Sequence, residues 1–133
     1  MKKKNRLTAE AIHCSLNNKN FFLRTPNQFR DYLYQDDVAN GIIKSIEIKK
    51  SFSANICSGK KIGTHELVKK IFKKMSNTNL IKFIKINTSS KKILGKLTGN
   101  NKFAKKIMGW SPMYDLDDAI NLTIIKYPKK LYE

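Results

Sequence analysis

The chain has 133 residues, 41% of them hydrophobic, and its 27 Lys and Arg against 10 Asp and Glu give a net charge of +17. That length allows a single domain or part of one, with a modest core. No apolar run approaches the roughly 18 residues of a membrane helix, and Met1 to Arg6 resembles the basic start of a signal peptide without the apolar stretch that must follow.

In chain order, Thr8 to Leu16 reads as a short helix with Leu7, Ala11, Ile12 and Leu16 near one face, stopped at Asn17-Asn18. Phe21 to Arg24 is strand-like, Thr25-Pro26-Asn27-Gln28 turns, and Phe29 to Tyr34 resumes extended structure. Asp36 or Asp37 is placed to cap the next helix, in which Val38, Ala39, Ile42, Ile43 and Ile46 form one stripe expected to be buried. Ala54 to Cys57 reads as a short strand ending in Ser58-Gly59. Thr64 is expected to cap a helix with Leu67, Val68, Ile71, Phe72 and Met75 inward and Lys69, Lys70, Lys73 and Lys74 outward. Leu80 to Ile86 reads as the last strand and Asn87 to Gly99 as a Lys-rich loop. Asn101 to Met108 is a helix stopped by Gly109, and Leu116 to Tyr127 closes the chain as a helix with Asp117 and Asp118 in its first turn. The composition is α/β: several helices with short strands and no sheet of their own.

Of the basic residues 24 are Lys and only three are Arg, dispersed among many Asn and Ile. A surface that reads nucleic acid would cluster its charge and favour Arg. A small basic nucleic-acid-binding protein is therefore the alternative reading rather than the leading one. Cys14 and Cys57 make no C-x-x-C and lie in apolar surroundings, so they read as structural thiols in a reducing cytoplasm, with no metal site. His65-Glu66 begins a zinc-protease pattern, but Lys69 stands where its second His would be. Ser58 lacks the G-x-S-x-G elbow of a nucleophile and reads as a turn residue, and Trp110 reads as a packing anchor.

Three segments carry more information. Arg30-Asp31-Tyr32-Leu33-Tyr34-Gln35-Asp36-Asp37-Val38-Ala39 is followed by Ser53-Ala54-Asn55-Ile56-Cys57-Ser58-Gly59, running on to Glu66-Leu67, and then by Asn100 to Pro112 with its Gly109-Trp110 pair. In this order and spacing they resemble the NAD-dependent epimerase/dehydratase family, the nucleotide-sugar branch of the extended short-chain dehydrogenase/reductases. The corresponding family patterns are R-D-aromatic-aliphatic-aromatic-x-x-D-hydrophobic-A, Y-N-I-G-S-G and D-x-S-K-A-x-x-x-L-G-W-x-P. Ala54 stands in place of an aromatic, Cys57 in place of a glycine and Asn100 in place of the common Asp.

The resemblance implies that 1–133 is a single partial domain, the C-terminal substrate-binding region of such an enzyme. Only 29 residues precede Arg30, too few for a doubly wound sheet. No three of the six glycines make a dinucleotide loop, and no Tyr is followed four residues later by Lys. The chain is thus expected to bind no cofactor alone, although the intact family uses NAD, and to have no catalytic residue and no turnover by itself. The resemblance assigns Arg30 to the diphosphate of a nucleotide sugar and places Tyr32 beside the nucleotide. The structural alternative for Arg30 is an ion pair with Asp31 or Asp36. The family's second phosphate-binding Arg is absent from Ser89 to Thr98, where Lys91, Lys92 and Lys96 supply charge without the bidentate fork. Expected partners are the nucleotide-sugar substrate and either a separate Rossmann-domain chain or a second copy, in the cytoplasm and away from membranes.

Overall fold

The computed structural model describes residues 6–24, 26–83 and 95–127. Its elements are α1 (Leu7–Leu16), β1 (Phe21–Leu23), β2 (Phe29–Asp31), α2 (Gln35–Ile46), β3 (Lys61–Gly63), α3 (Thr64–Lys74), β4 (Ile81–Phe83), α4 (Lys102–Met108) and α5 (Leu116–Ile125), with one 3₁₀ turn at Thr78–Leu80. The strands form two pairs, which corrects the expectation that they build no sheet at all. β1 lies parallel to β4, and β2 lies antiparallel to β3 with Arg30 opposite Ile62. Phe29 N–H donates to the Gly95 carbonyl at 2.8 Å and its carbonyl accepts from Leu97 N–H at 3.1 Å. Residues 95–97 thereby close on β2.

The apolar spacing of α3 decides the main core. Leu67, Val68, Ile71 and Phe72 are at most 1% exposed and pack with Ala11 and Ile12 of α1, Phe21 and Leu23 of β1 and Ile120 of α5. Burying a side chain of this size is worth about 1.5–3 kcal/mol, so α3 is the element on which the others assemble. The opposite face of α3 is polar as expected, with Lys69 and Lys73 exposed. Lys70 instead reaches Asp117 of α5 at 2.9 Å. This bond holds the Asp117 carboxyl below its ordinary pKa, so the small stabilisation it gives is present at neutral pH and fades as pH falls through the carboxylate range. A second cluster gathers Ala104 and Met108 of α4 with Trp110, against which Phe52, Ala54 and Ile56 are half-buried.

Several local expectations give way to tertiary context. Neither Asp36 nor Asp37 caps α2: the cap position is Tyr34 and no side chain bonds there. The stripe of α2 is not buried, since Ile42, Ile43 and Ile46 are 51%, 59% and 78% exposed and Ala39 is exposed too. The buried positions of that helix are Asp37 and Gly41. Gly63 rather than Thr64 occupies the cap of α3. Leu16 is exposed. Extended pairing in β2 stops at Asp31, and Ala54 to Cys57 forms no strand. The end of α4 follows expectation, with Gly109 in the left-handed region at φ 59°. α5 is capped by Asp115, whose carboxylate accepts from Asp118 N–H at 2.8 Å. The expected strand residues 84–86 and most of the loop from Asn87 lie outside the described residues. No helix among the described residues is long and apolar enough to cross a membrane.

Candidate functional site

Two aspartates bring the three sequence segments together. Asp31 ends β2, and its Oδ1 accepts from Ser58 N–H at 2.9 Å and from the Ser58 hydroxyl. Its Oδ2 accepts from Gly59 N–H at 3.0 Å and from Gly99 N–H at 3.1 Å. One carboxylate thus pins the Ser58-Gly59 turn and Gly99 to the strand that carries Arg30. Gly59 has φ 75°, a conformation in which a side chain would be strained. Asn101 completes the clamp, donating from Nδ2 to the Cys57 carbonyl at 3.0 Å.

Asp37 performs the same task on the other side. It is fully buried, its carboxylate accepts from Met113 N–H at 2.8 Å and Tyr114 N–H at 3.4 Å, and its carbonyl accepts from Trp110 Nε1–H at 3.1 Å. A buried carboxylate is tolerated when backbone donors satisfy it. Trp110 is therefore both a packing anchor and a bonded one.

The guanidinium of Arg30 donates to the Phe29 carbonyl and to Gln28 Oε1, each at 2.8 Å. Asp31 is engaged by the loops, and Asp36 Oδ2 accepts from Lys126 at 3.1 Å. Tyr32 is half-buried and lies between two cavities of about 460 and 450 Å³, lining both, whereas Arg30 lines neither. The smaller cavity has Lys60, Lys61 and Lys70 at its wall together with Tyr114 and Ser58. Burial raises the Tyr32 pKa while Arg30 lowers it, with burial the larger effect. At neutral pH this phenol stays protonated, so it can donate a hydrogen bond but does not serve as a base.

Tyr34, also on both cavity walls, is buried and edge-on to Tyr114 at 5.0 Å between ring centroids. Lys126 Nζ stands 5.5 Å over its ring. Among the described residues no group of His, Cys, Asp and Glu is arranged to hold a metal ion. Cys14 and Cys57 are free and half-buried, and burial raises both thiol pKa values. His65 Nδ1 lies 3.1 Å from the Pro26 carbonyl, a structural contact.

Cys57 marks a tight point in the clamp. A Cβ at Gly99 would overlap the Cys57 Sγ and Cβ, so Gly99→Ala is expected to cost about 1–3 kcal/mol as an overpacked site. Cys57→Gly in the same chain should recover much of that loss, read as a coupling energy from urea unfolding of the four variants. Additive effects would show that the two residues do not compete for the space.

No protein-family model matches the chain, and no curated protein matches it in sequence. Solved structures do share its fold. RMD from Pseudomonas aeruginosa, complexed with NADPH, superposes with a TM-score of 0.80 at 15% identity over 95% of this chain and 43% of its own. The dTDP-glucose 4,6-dehydratase of Bacillus anthracis, in complex with NAD, gives 0.78 at 19% over 94% and 40%. The UDP-glucose 4-epimerase of Thermotoga maritima, with UDP-glucose, gives 0.78 at 20% over 93% and 40%. The chain therefore has the α/β fold of a part, about 40% by length, of chains from the NAD-dependent epimerase/dehydratase family.

Proposed function

We propose that this chain forms the nucleotide-sugar-binding part of an NAD-dependent epimerase or dehydratase, with the dinucleotide-binding part supplied by further polypeptide, joined or separate. The observation that carries this reading is the clamp. The three segments that resemble the family lie far apart in sequence, and Asp31, Asn101 and Asp37 fasten them into one surface beside Tyr32. In this reading Arg30 holds the diphosphate and Tyr32 borders the nucleotide. Arg30 would turn from Gln28 to the ligand, exchanging a neutral acceptor for an anionic one. Lys60 and Lys61 at the wall of the smaller cavity favour the same class of ligand, whereas Lys70 there is paired with Asp117 and Glu66 and Asp115 share the wall.

The nucleic-acid alternative gains nothing from the fold. Lys70, Lys74 and Lys126 are engaged by Asp117 and Asp36 rather than gathered into a free stripe.

Calorimetric titration tests the assignment. UDP-glucose should bind, and NAD should show no micromolar affinity for the chain, because no dinucleotide loop is present in its sequence. Micromolar NAD binding by these 133 residues would overturn the division of roles.

A further inference from the structure

The larger cavity differs in kind from the smaller one. It is bounded by α1, α3, α5 and the segment Tyr32 to Gln35, with Ile12, Leu67, Ile71, Leu116 and Ile120 in its apolar lining. Its volume of about 460 Å³ falls in the range of pockets that bury small ligands, about 300–1,000 Å³. Arg6 and Lys126 are the charged residues on its wall among those described, and both are positive, whereas Glu66 and Asp115 line the smaller cavity. One polar group on the wall is unsatisfied. Tyr34 is 6% exposed, and its hydroxyl has no partner at hydrogen-bonding distance among the described residues. A buried hydroxyl without a bond is costly, and such exceptions in a folded chain are few. Lys126 Nζ stands 5.5 Å over the same ring. The nearby Tyr34 hydroxyl, and after it Asp36, raises the Lys126 pKa, so this side chain is an ammonium at neutral pH.

We propose that this cavity binds a small amphipathic carboxylate, its apolar body against α3 and α5 and its carboxylate accepting from the Tyr34 hydroxyl beside Lys126. Three observations select that class. The apolar lining takes an apolar body. A phenol beside an ammonium turns its oxygen to the cation and keeps its proton to donate, so it calls for an acceptor. Both charges on the wall are positive, so the acceptor is best an anion. The bond of Lys126 to Asp36 joins two exposed side chains and is worth little, which leaves the ammonium available to a second carboxylate. Arg30, assigned above to the diphosphate, lines neither cavity, so the two ligands do not compete for it.

Octanoate is the probe, titrated calorimetrically into the full chain at neutral pH. Saturable one-to-one binding is expected, roughly tenfold or more tighter than that of octylamine, which has the same chain length and the opposite charge. Tyr34→Phe keeps the ring and removes only the unbonded hydroxyl, so the fold should hold while octanoate affinity falls roughly tenfold. Thr123 of α5 lines the larger cavity and not the smaller one. Thr123→Phe should therefore fill the site and remove saturable octanoate binding. Lys69→Ala with Lys73→Ala, exposed on α3 and away from the wall, should change nothing. Absence of saturable octanoate binding, octylamine binding as tight as octanoate, or octanoate affinity unchanged by Tyr34→Phe overturns the proposal. So does an equal loss in the paired Lys→Ala variant, which would assign the binding to the diffuse basic surface. UDP-glucose is titrated separately into the same variants, so failure here is distinguishable from failure of the proposed function.

Discussion

Replacing Asp31 with Ala is expected to lower the unfolding free energy by about 2–4 kcal/mol. The carboxylate accepts three backbone N–H groups and one hydroxyl. Hydrogen bonds to a charged group are worth about 1.5–3 kcal/mol each, but those around a partly exposed acid are far from additive. Asp31→Asn should lose about half as much, because the amide keeps one oxygen for two of the donors. Urea unfolding at neutral pH reads both variants, and nucleotide-sugar affinity should fall with them, since the turn at Ser58-Gly59 and the segment at Gly99 lose their common anchor. A change below about 1 kcal/mol for Asp31→Ala would show that the loops hold their places without it, and the clamp would lose its role.

That role was invisible to local reading of the sequence, and the reason is physical. In the sequence alone Asp31 is a possible ion-pair partner for the adjacent Arg30, and Asp37 a candidate helix cap. Both are rules of near neighbours. In the fold the partners of Asp31 lie 27, 28 and 68 residues away, and those of Asp37 76 and 77 residues away. A carboxylate can satisfy either kind of donor, and only the tertiary path of the chain decides which donors arrive.

The α3 core face was legible, because four large apolar residues at helical spacing leave little choice of what to bury. The left-handed end of α4 at Gly109 was legible for the same kind of reason: local geometry alone demands it. α2 misleads because its periodicity is correct and its burial is not. The pattern reports that the isoleucines belong against something, and the described residues of this chain do not provide it. The same holds for Ala54 to Cys57, whose alternation is that of a strand although no neighbouring strand pairs with it.

Arg30→Ala is expected to weaken UDP-glucose binding by roughly ten- to a hundredfold, whether the sugar nucleotide binds to this chain alone or to its complex with the remaining part. The loss of a hydrogen-bonded charge on a phosphate corresponds to about 1.5–3 kcal/mol. Arg30→Lys should restore only part of it, because an ammonium cannot form the two parallel bonds of a guanidinium. The position of Arg30 outside both cavities sharpens the test. Two of its bonds, to the Phe29 carbonyl and Gln28 Oε1, run along β2, and in the proposed reading the ligand replaces Gln28. Gln28→Ala should then leave affinity unchanged or raise it slightly, whereas a purely structural Arg30 would make Gln28→Ala and Arg30→Ala destabilise the fold together. Lys69→Ala and Lys73→Ala, exposed on α3, serve as controls for general attraction of anions by a chain of +17. Should those controls cost as much affinity as Arg30→Ala, binding belongs to the diffuse basic surface, and the assignment of Arg30 to the diphosphate is wrong.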